Sequence, residues 1–238
     1  MTSSEIVTMF RNEMGDRVAP YLWDDSEVYP FLDDAQSWFC RKTDGIADAR
    51  TPTVCNLSVV AGTDWYATHP SILIVRKITR ADNGLKVSAL TVEQADDLGV
   101  VFLATTLGKV KYFVFGYDAH AVRITPMPNE VVTLNLAVFR LPLVTITDIG
   151  DQALEIDAQH HPALVKWMKF RAYSKQDTET ADRNKASDFE AQFLAYCANA
   201  KLEQARARRV QGNVTYGGLP VGGRVGQLGS NSNRYSPY

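Results

Sequence analysis

The hydrophobic period of this chain changes twice, and that change constrains the fold more than any single motif. Up to about residue 50 the apolar residues recur at helical spacing. From Thr51 to about Ile149 they fall in short runs punctuated by Gly, Asp and Pro, and from His161 the helical spacing returns. A helix buries one stripe and a strand one face, so each kind of segment needs its own kind of partner. The economical arrangement is α+β: a helical bundle from N- and C-terminal helices, with an inserted antiparallel β block and an extended C-terminal arm. The expected boundaries are 1–50 for the N-terminal helices, 51–158 for the β block, 159–209 for the C-terminal helices and 210–238 for the arm.

Local signals support each part. Thr2 and Glu5 have capping-box spacing, Ile6, Val7, Phe10 and Met14 share a face, and Gly15 suits a helix stop. In "WDDSEVYPFLDDAQSWFCRKTDGIADA", Asp24 and Asp25 supply an N-terminal cap, and Val28, Phe31, Leu32, Ala35 and Phe39 recur helically. Pro30 fits only a first turn or a kink, which puts the start of regular helix near Ser26 or Glu27. "VCNLSVV", "SILIVRKIT", "VVFLATT", "KVKYFVFG", "AVRITPMP" and "EVVTLNLAVFRL" read as about six antiparallel strands. Asn83-Gly84 marks a hairpin, and Thr91 caps a short helix. In "KVKYF" the alternation predicts a half-buried strand with Val110, Tyr112 and Val114 on one side. Pro162 suits the first turn of a helix burying Leu164, Trp167, Met168 and Ala172. A second helix places Phe189, Phe193, Tyr196, Cys197 and Ala200 on one face.

Composition narrows the function class. The chain is 45% hydrophobic and 22% charged, enough for a core, and its net charge of −2 gives no general pull toward nucleic acid or membrane. Cys40, Cys55 and Cys197 are odd in number and lack a CxxC spacing, so burial rather than a disulfide framework is expected. The N-terminus has no signal-peptide pattern, and no run approaches a membrane span. Synthesis in a reducing cytosol and no membrane partner are the expectations.

Catalytic patterns are weak. His160 and His161 are adjacent rather than at the i, i+4 spacing of helical metal ligands, and His161 next to Pro162 reads as a helix-start residue. Asp24-Asp25, Asp33-Asp34 and Asp96-Asp97 read as caps and solvated faces rather than acid–base pairs. "YGGLPVGG" lacks the Lys-Ser/Thr of a phosphate loop. Arg206, Arg208 and Arg209 could touch phosphate or a partner, although cations at a helix C-terminus are well explained by the dipole. "KVKYF" could be a nucleic-acid strand, but an ordinary strand explains it better. No catalytic residue, metal site or cofactor is expected.

The order of segments resembles the head-to-tail adaptor proteins of tailed bacteriophages. The likeness lies in Trp23, Asp24, Asp25, Leu32, Ala35 and Gln36 of "YLWDDSEVYPFLDDAQSWFCRKT". It continues in "HPSILIVRKIT…GLKVSALTVEQADDL", in "GKVKYFVFGYDAHAVRITPMPNEVVTLNLAVFRLP" and in the "AL-x-x-W…RAY" helix pair, and covers roughly residues 1–205. Pro30 and "TDWYATHP" depart from the family pattern. The resemblance implies a virion structural protein at the head–tail junction, forming a homo-oligomeric ring of twelve subunits. The ring would bind the portal protein on one side and tail or nozzle proteins on the other. It would extend the DNA channel with at most non-specific contact to genomic DNA, and perform no catalysis.

That implication gives the C-terminal arm a use. Residues 210–238 hold seven of the fifteen Gly and no Asp or Glu, yet also many apolar and aromatic side chains. Tyr216, Leu219, Pro220, Val221, Val225, Leu228, Tyr235 and Tyr238 could anchor in a groove, and Arg224 and Arg234 favour an acidic one. The expectation is a portal- or subunit-binding arm. The alternatives are a nucleic-acid-binding accessory protein using the basic helix end and the arm, and an enzyme with scattered site residues.

Overall fold

The computed structural model describes residues 1–100, 105–175, 181–208, 214–216 and 219–221. The chain divides into two compact units, Met1–Lys201 and Leu202–Tyr238. It opens with helices α1 (Ser3–Met14) and α2 (Asp25–Lys42), then strand β1 (Ile46–Asp48) and the helical turn α3 (Pro52–Cys55). Strands β2 (Asn56–Val59), β3 (Trp65–Ala67), β4 (Ile72–Arg80) and β5 (Lys86–Thr91) precede helix α4 (Val92–Asp97). Strands β6 (Leu107–Gly108), β7 (Tyr112–Asp118), β8 (Ala121–Thr125), β9 (Met127–Pro128) and β10 (Val132–Arg140) complete the β part. Helices α5 (His161–Ser174) and α6 (Arg183–Arg208) follow, and then strands β11 (Val214–Tyr216) and β12 (Leu219–Val221).

The N- and C-terminal helices share one core, giving the α+β architecture expected from the period changes. Ile6 and Phe10 of α1, Leu32 and Phe39 of α2, Leu164 and Met168 of α5, and Phe193 and Cys197 of α6 all belong to it. Trp167 lies at its aromatic centre, with ring centroids 5.2 Å from Trp38, 4.7 Å from Phe170 and 5.0 Å from Phe193. Gly15 ends α1 in the left-handed region at φ 76°, where a side chain would be strained. Helix α2 starts at Asp25, with the Asp24 carboxylate accepting from the Ser26 N–H. Pro30 therefore lies beyond the first turn. The carbonyl it leaves without an amide partner is that of Ser26, whose residue is exposed, so water can satisfy it.

The larger sheet runs β1-β10-β4-β5-β7-β8-β3, with β2 also paired to β10. Most pairings are antiparallel, but β5 and β7 run parallel, with Ser88 opposite Tyr112 and Thr91 opposite Phe115. This corrects the all-antiparallel expectation. The reason is α4, which carries the chain back between β5 and β7 as a crossover rather than a hairpin. The same helix overturns the half-buried reading of "KVKYF". Phe113 faces the main sheet core, while Val114 packs with Ala95 of α4 and Val100, so β7 is covered on both faces. Two further elements differ from their sequence reading. Val54 and Cys55 lie in α3, because Pro52 opens a helical turn there. Ile46–Asp48 leaves the helical pattern and pairs with Val138–Arg140 of β10. The strand expected at "VVFLATT" falls largely on 101–104, outside the described residues.

Gly45 lets β1 approach β10. Its φ is +84°, and an added Cβ would sit 2.8 Å from the Arg140 carbonyl oxygen and 3.1 Å from Leu73 Cδ1. Gly45→Ala is expected to destabilise the protein by about 2 kcal/mol, combining backbone strain with a steric clash. The midpoint of urea unfolding measures it, and an unchanged midpoint would show that β1 does not dock this closely.

Buried charges fasten the ends of elements. Arg11 on α1 reaches Asp16 at 2.8 Å and Asp25 at 2.6 Å, while Asp16 also accepts from the Leu22 N–H. Arg140, at the end of β10, joins Asp48 of β1 and Glu155, each at 2.6 Å. Glu155 in turn accepts from the Leu143 and Val144 N–H groups, and Asp33 of α2 accepts from that of Ile146. The irregular chain after β10 is thus held by carboxylates where it has no ladder of its own.

Candidate docking surfaces

Several of the candidate catalytic groups have structural partners. His161 begins α5 fully buried, with Nε2 2.8 Å from the Ile156 carbonyl oxygen. His160 Nδ1 lies 3.0 Å from the Tyr196 hydroxyl. Asp24 is a cap, as expected, and Asp25 pairs with Arg11. Asp33 and Asp34 correct the reading of a solvated face. Asp33 accepts from Gln36 and Ile146, while Asp34 accepts from Trp167 Nε1 at 2.8 Å and Arg171 at 2.9 Å. Adjacent carboxylates diverge on α2, and here each meets a different neighbouring segment. Cys40, Cys55 and Cys197 are buried free thiols, and burial pushes Cys40 and Cys197 up to about 12, leaving them un-ionised at neutral pH.

At the C-terminal end, the basic residues do not converge. Arg206 is exposed, and Arg208 is half-buried with Nη2 3.2 Å from Gln204 Oε1. Two positions along a helix turn by about 200°, so these side chains leave from opposite sides. Arg209 lies outside the described residues. Beyond the helix, β11 and β12 pair antiparallel, with Thr215 opposite Pro220 and Tyr216 opposite Leu219. Tyr216, Leu219, Pro220 and Val221 therefore lie in a short hairpin, whereas Arg224, Val225, Leu228, Arg234, Tyr235 and Tyr238 are outside the described residues.

A different exposed cluster was not read from the sequence. Trp65 on the terminal sheet strand β3 is 44% exposed, with its ring 5.4 Å from that of Tyr117 at an edge-on angle. Arg123 lies 5.5 Å from the Trp65 ring centroid, and Asp64 fixes it at 2.9 Å. Exposed Trp and Tyr beside an oriented Arg have the composition of a protein-contact anchor. No sequence signal exposes it, because Trp65, Tyr117 and Arg123 meet only through β-pairing across the sheet.

The SU10 adaptor protein family model matches residues 1–217, spanning both cores and the first strand of the C-terminal hairpin. No curated protein matches the chain. Coverage of nearly the whole chain decides the matter: it belongs to the SU10 adaptor protein family, a family of phage head-to-tail adaptors whose role is structural.

Proposed function

We propose that the protein forms a homo-oligomeric ring of twelve subunits between the portal and the tail, extending the channel through which the genome passes. The single observation that carries this reading is the family match over residues 1–217. The portal lies on one side of the ring, and tail or nozzle proteins on the other. The working location is therefore the head–tail junction of the virion.

Residues 210–238 are the attachment arm in this reading. Ordering a Gly-rich segment costs conformational entropy, so a groove must supply anchors in return. The arm's Tyr, Leu and Val residues supply apolar contacts, and its arginines favour an acidic groove. Repetition around a ring multiplies a weak single contact by avidity. A chain ending at Arg209 should keep the circular dichroism and melting temperature of the full chain. It should co-sediment with the portal at least tenfold less well. Undiminished co-sedimentation would reject the arm as the attachment element. The divergence of Arg206 and Arg208 gives no support to a nucleic-acid accessory role built on the helix end.

A further inference from the structure

We infer that the outer face of the sheet, at Arg50, Arg76, Lys77 and Lys86, is a sequence-independent binding surface for the phosphate backbone of duplex DNA. Its biological use rests on the channel reading above, but its chemistry does not.

The site begins with an irregularity in β4. Lys77 stands opposite Ala137 and Val75 opposite Val138, so Arg76 is an extra residue on the β4 side. A bulge of this kind breaks strict alternation and re-aims a side chain. Here it places two successive cations, Arg76 and Lys77, in one groove with Lys86 and Ala137. A second hollow continues from Arg76 and Ala137 to Arg50, Ala47, Ala49 and Asp48. The two share residues and form one shallow, open trough. The run "LIVRKIT" shows adjacent cations in a strand, but the pairing with β10 creates the bulge that brings them into one groove.

The charges in the trough are unneutralised. Arg50, Arg76, Lys77 and Lys86 are all exposed, and among the described residues no carboxylate forms an ion pair with them. Asp48 is committed elsewhere, accepting from Arg140 and from the Arg50 and Thr51 N–H groups. The residues facing the lysines across the sheet are neutral, Ala137 opposite Lys77 and Thr79 opposite Lys86. Arg76 is held in place over the Phe139 ring, 4.8 Å from its centroid.

Composition selects the partner. Cores of protein–protein contacts are enriched in aromatic residues and depleted in lysine. The trough has the reverse balance, cations around a floor of alanines, whereas the Trp65–Tyr117 cluster has the protein-contact balance. Small floor residues let a backbone come close, and cations on long side chains can follow phosphates without reading bases.

The test uses the full chain and a short, labelled, random-sequence duplex, with binding followed by fluorescence anisotropy. Four phosphate contacts predict that each doubling of salt weakens binding by about twelvefold. The combined Arg50→Gln, Arg76→Gln, Lys77→Gln and Lys86→Gln variant should bind at least tenfold more weakly and lose most of that salt dependence. Because Arg76 rests on Phe139, the Lys77→Gln, Lys86→Gln double variant is the milder control. It should show about half the logarithmic salt slope, or roughly 3.5-fold per doubling. Native-like DNA binding by the fourfold variant would overturn the assignment. So would loss of binding on Arg206→Gln with Arg208→Gln instead, or tighter binding to polyglutamate than to DNA. Portal association measured on the same variants separates the two ideas. A native chain that binds the portal but not DNA overturns this surface alone, and one that binds DNA but not the portal overturns the adaptor reading alone.

Discussion

Trp167→Ala is expected to cost about 3–5 kcal/mol, the range for truncating a well-buried aromatic side chain. For a protein of this size that lowers the melting temperature by roughly 6–20 °C. The indole is 4% exposed and touches Trp38, Phe170 and Phe193, so its removal opens a cavity bounded by α2, α5 and α6. Its Nε1 also donates to Asp34, although Arg171 stays behind to pair with that carboxylate. Trp167→Phe should therefore recover much of the loss. Calorimetry of both variants decides the point. A drop of only a degree or two for Trp167→Ala would mean that the helical core does not close around this residue.

The second large effect is expected at the Arg140 junction. Asp48→Ala leaves a guanidinium that is 8% exposed with Glu155 alone among the described residues to neutralise it, and breaking such a buried pair costs about 3–5 kcal/mol. Its pH dependence is also determined. Burial opposes the charge on Asp48, but hydrogen bonds from Thr51, Arg50 and Arg140 outweigh it and hold the carboxyl well below its ordinary value of 3.8. Glu155, also opposed by burial, is held below its ordinary 4.5 by the Val144 N–H, Arg140 and the Leu143 N–H. As the pH falls through those ordinary values the unfolded chain takes up protons before the folded one. The stabilisation is thus complete near neutrality and is lost progressively below about pH 5. Urea midpoints from pH 7 downward should fall in the native protein and fall less steeply in Asp48→Asn. Equal slopes would show that this junction does not carry the acid sensitivity.

Much of the fold was legible because local signals and long-range partners agree. Ile6 and Phe10, Leu32 and Phe39, and Leu164 and Met168 are helically spaced in sequence and meet in one core. Gly84 and Thr91 do in space what their residue types suggest. The failures occur where a distant segment decides the outcome. β1 is three residues long and strand only because β10 offers it an edge. Phe113 and Val114 are both buried because α4 covers the second face of β7, which strict alternation cannot reveal. Asp33 and Asp34 look like surface acids until Ile146 and Trp167, over a hundred residues away, donate to them. The site residues divide the same way. The proposed arm rests on composition alone, since anchors in a Gly-rich segment need no fold to be noticed. The Trp65–Tyr117–Arg123 cluster exists only after the sheet forms, and the trough around Arg76 depends on a bulge.

Electron microscopy of the purified chain, alone and mixed with the portal of the same phage, tests the central claim most directly. The adaptor account predicts a ring stacked coaxially on the portal, scarce or absent without it. Persistent lack of association across salt and protein concentration would contradict that account.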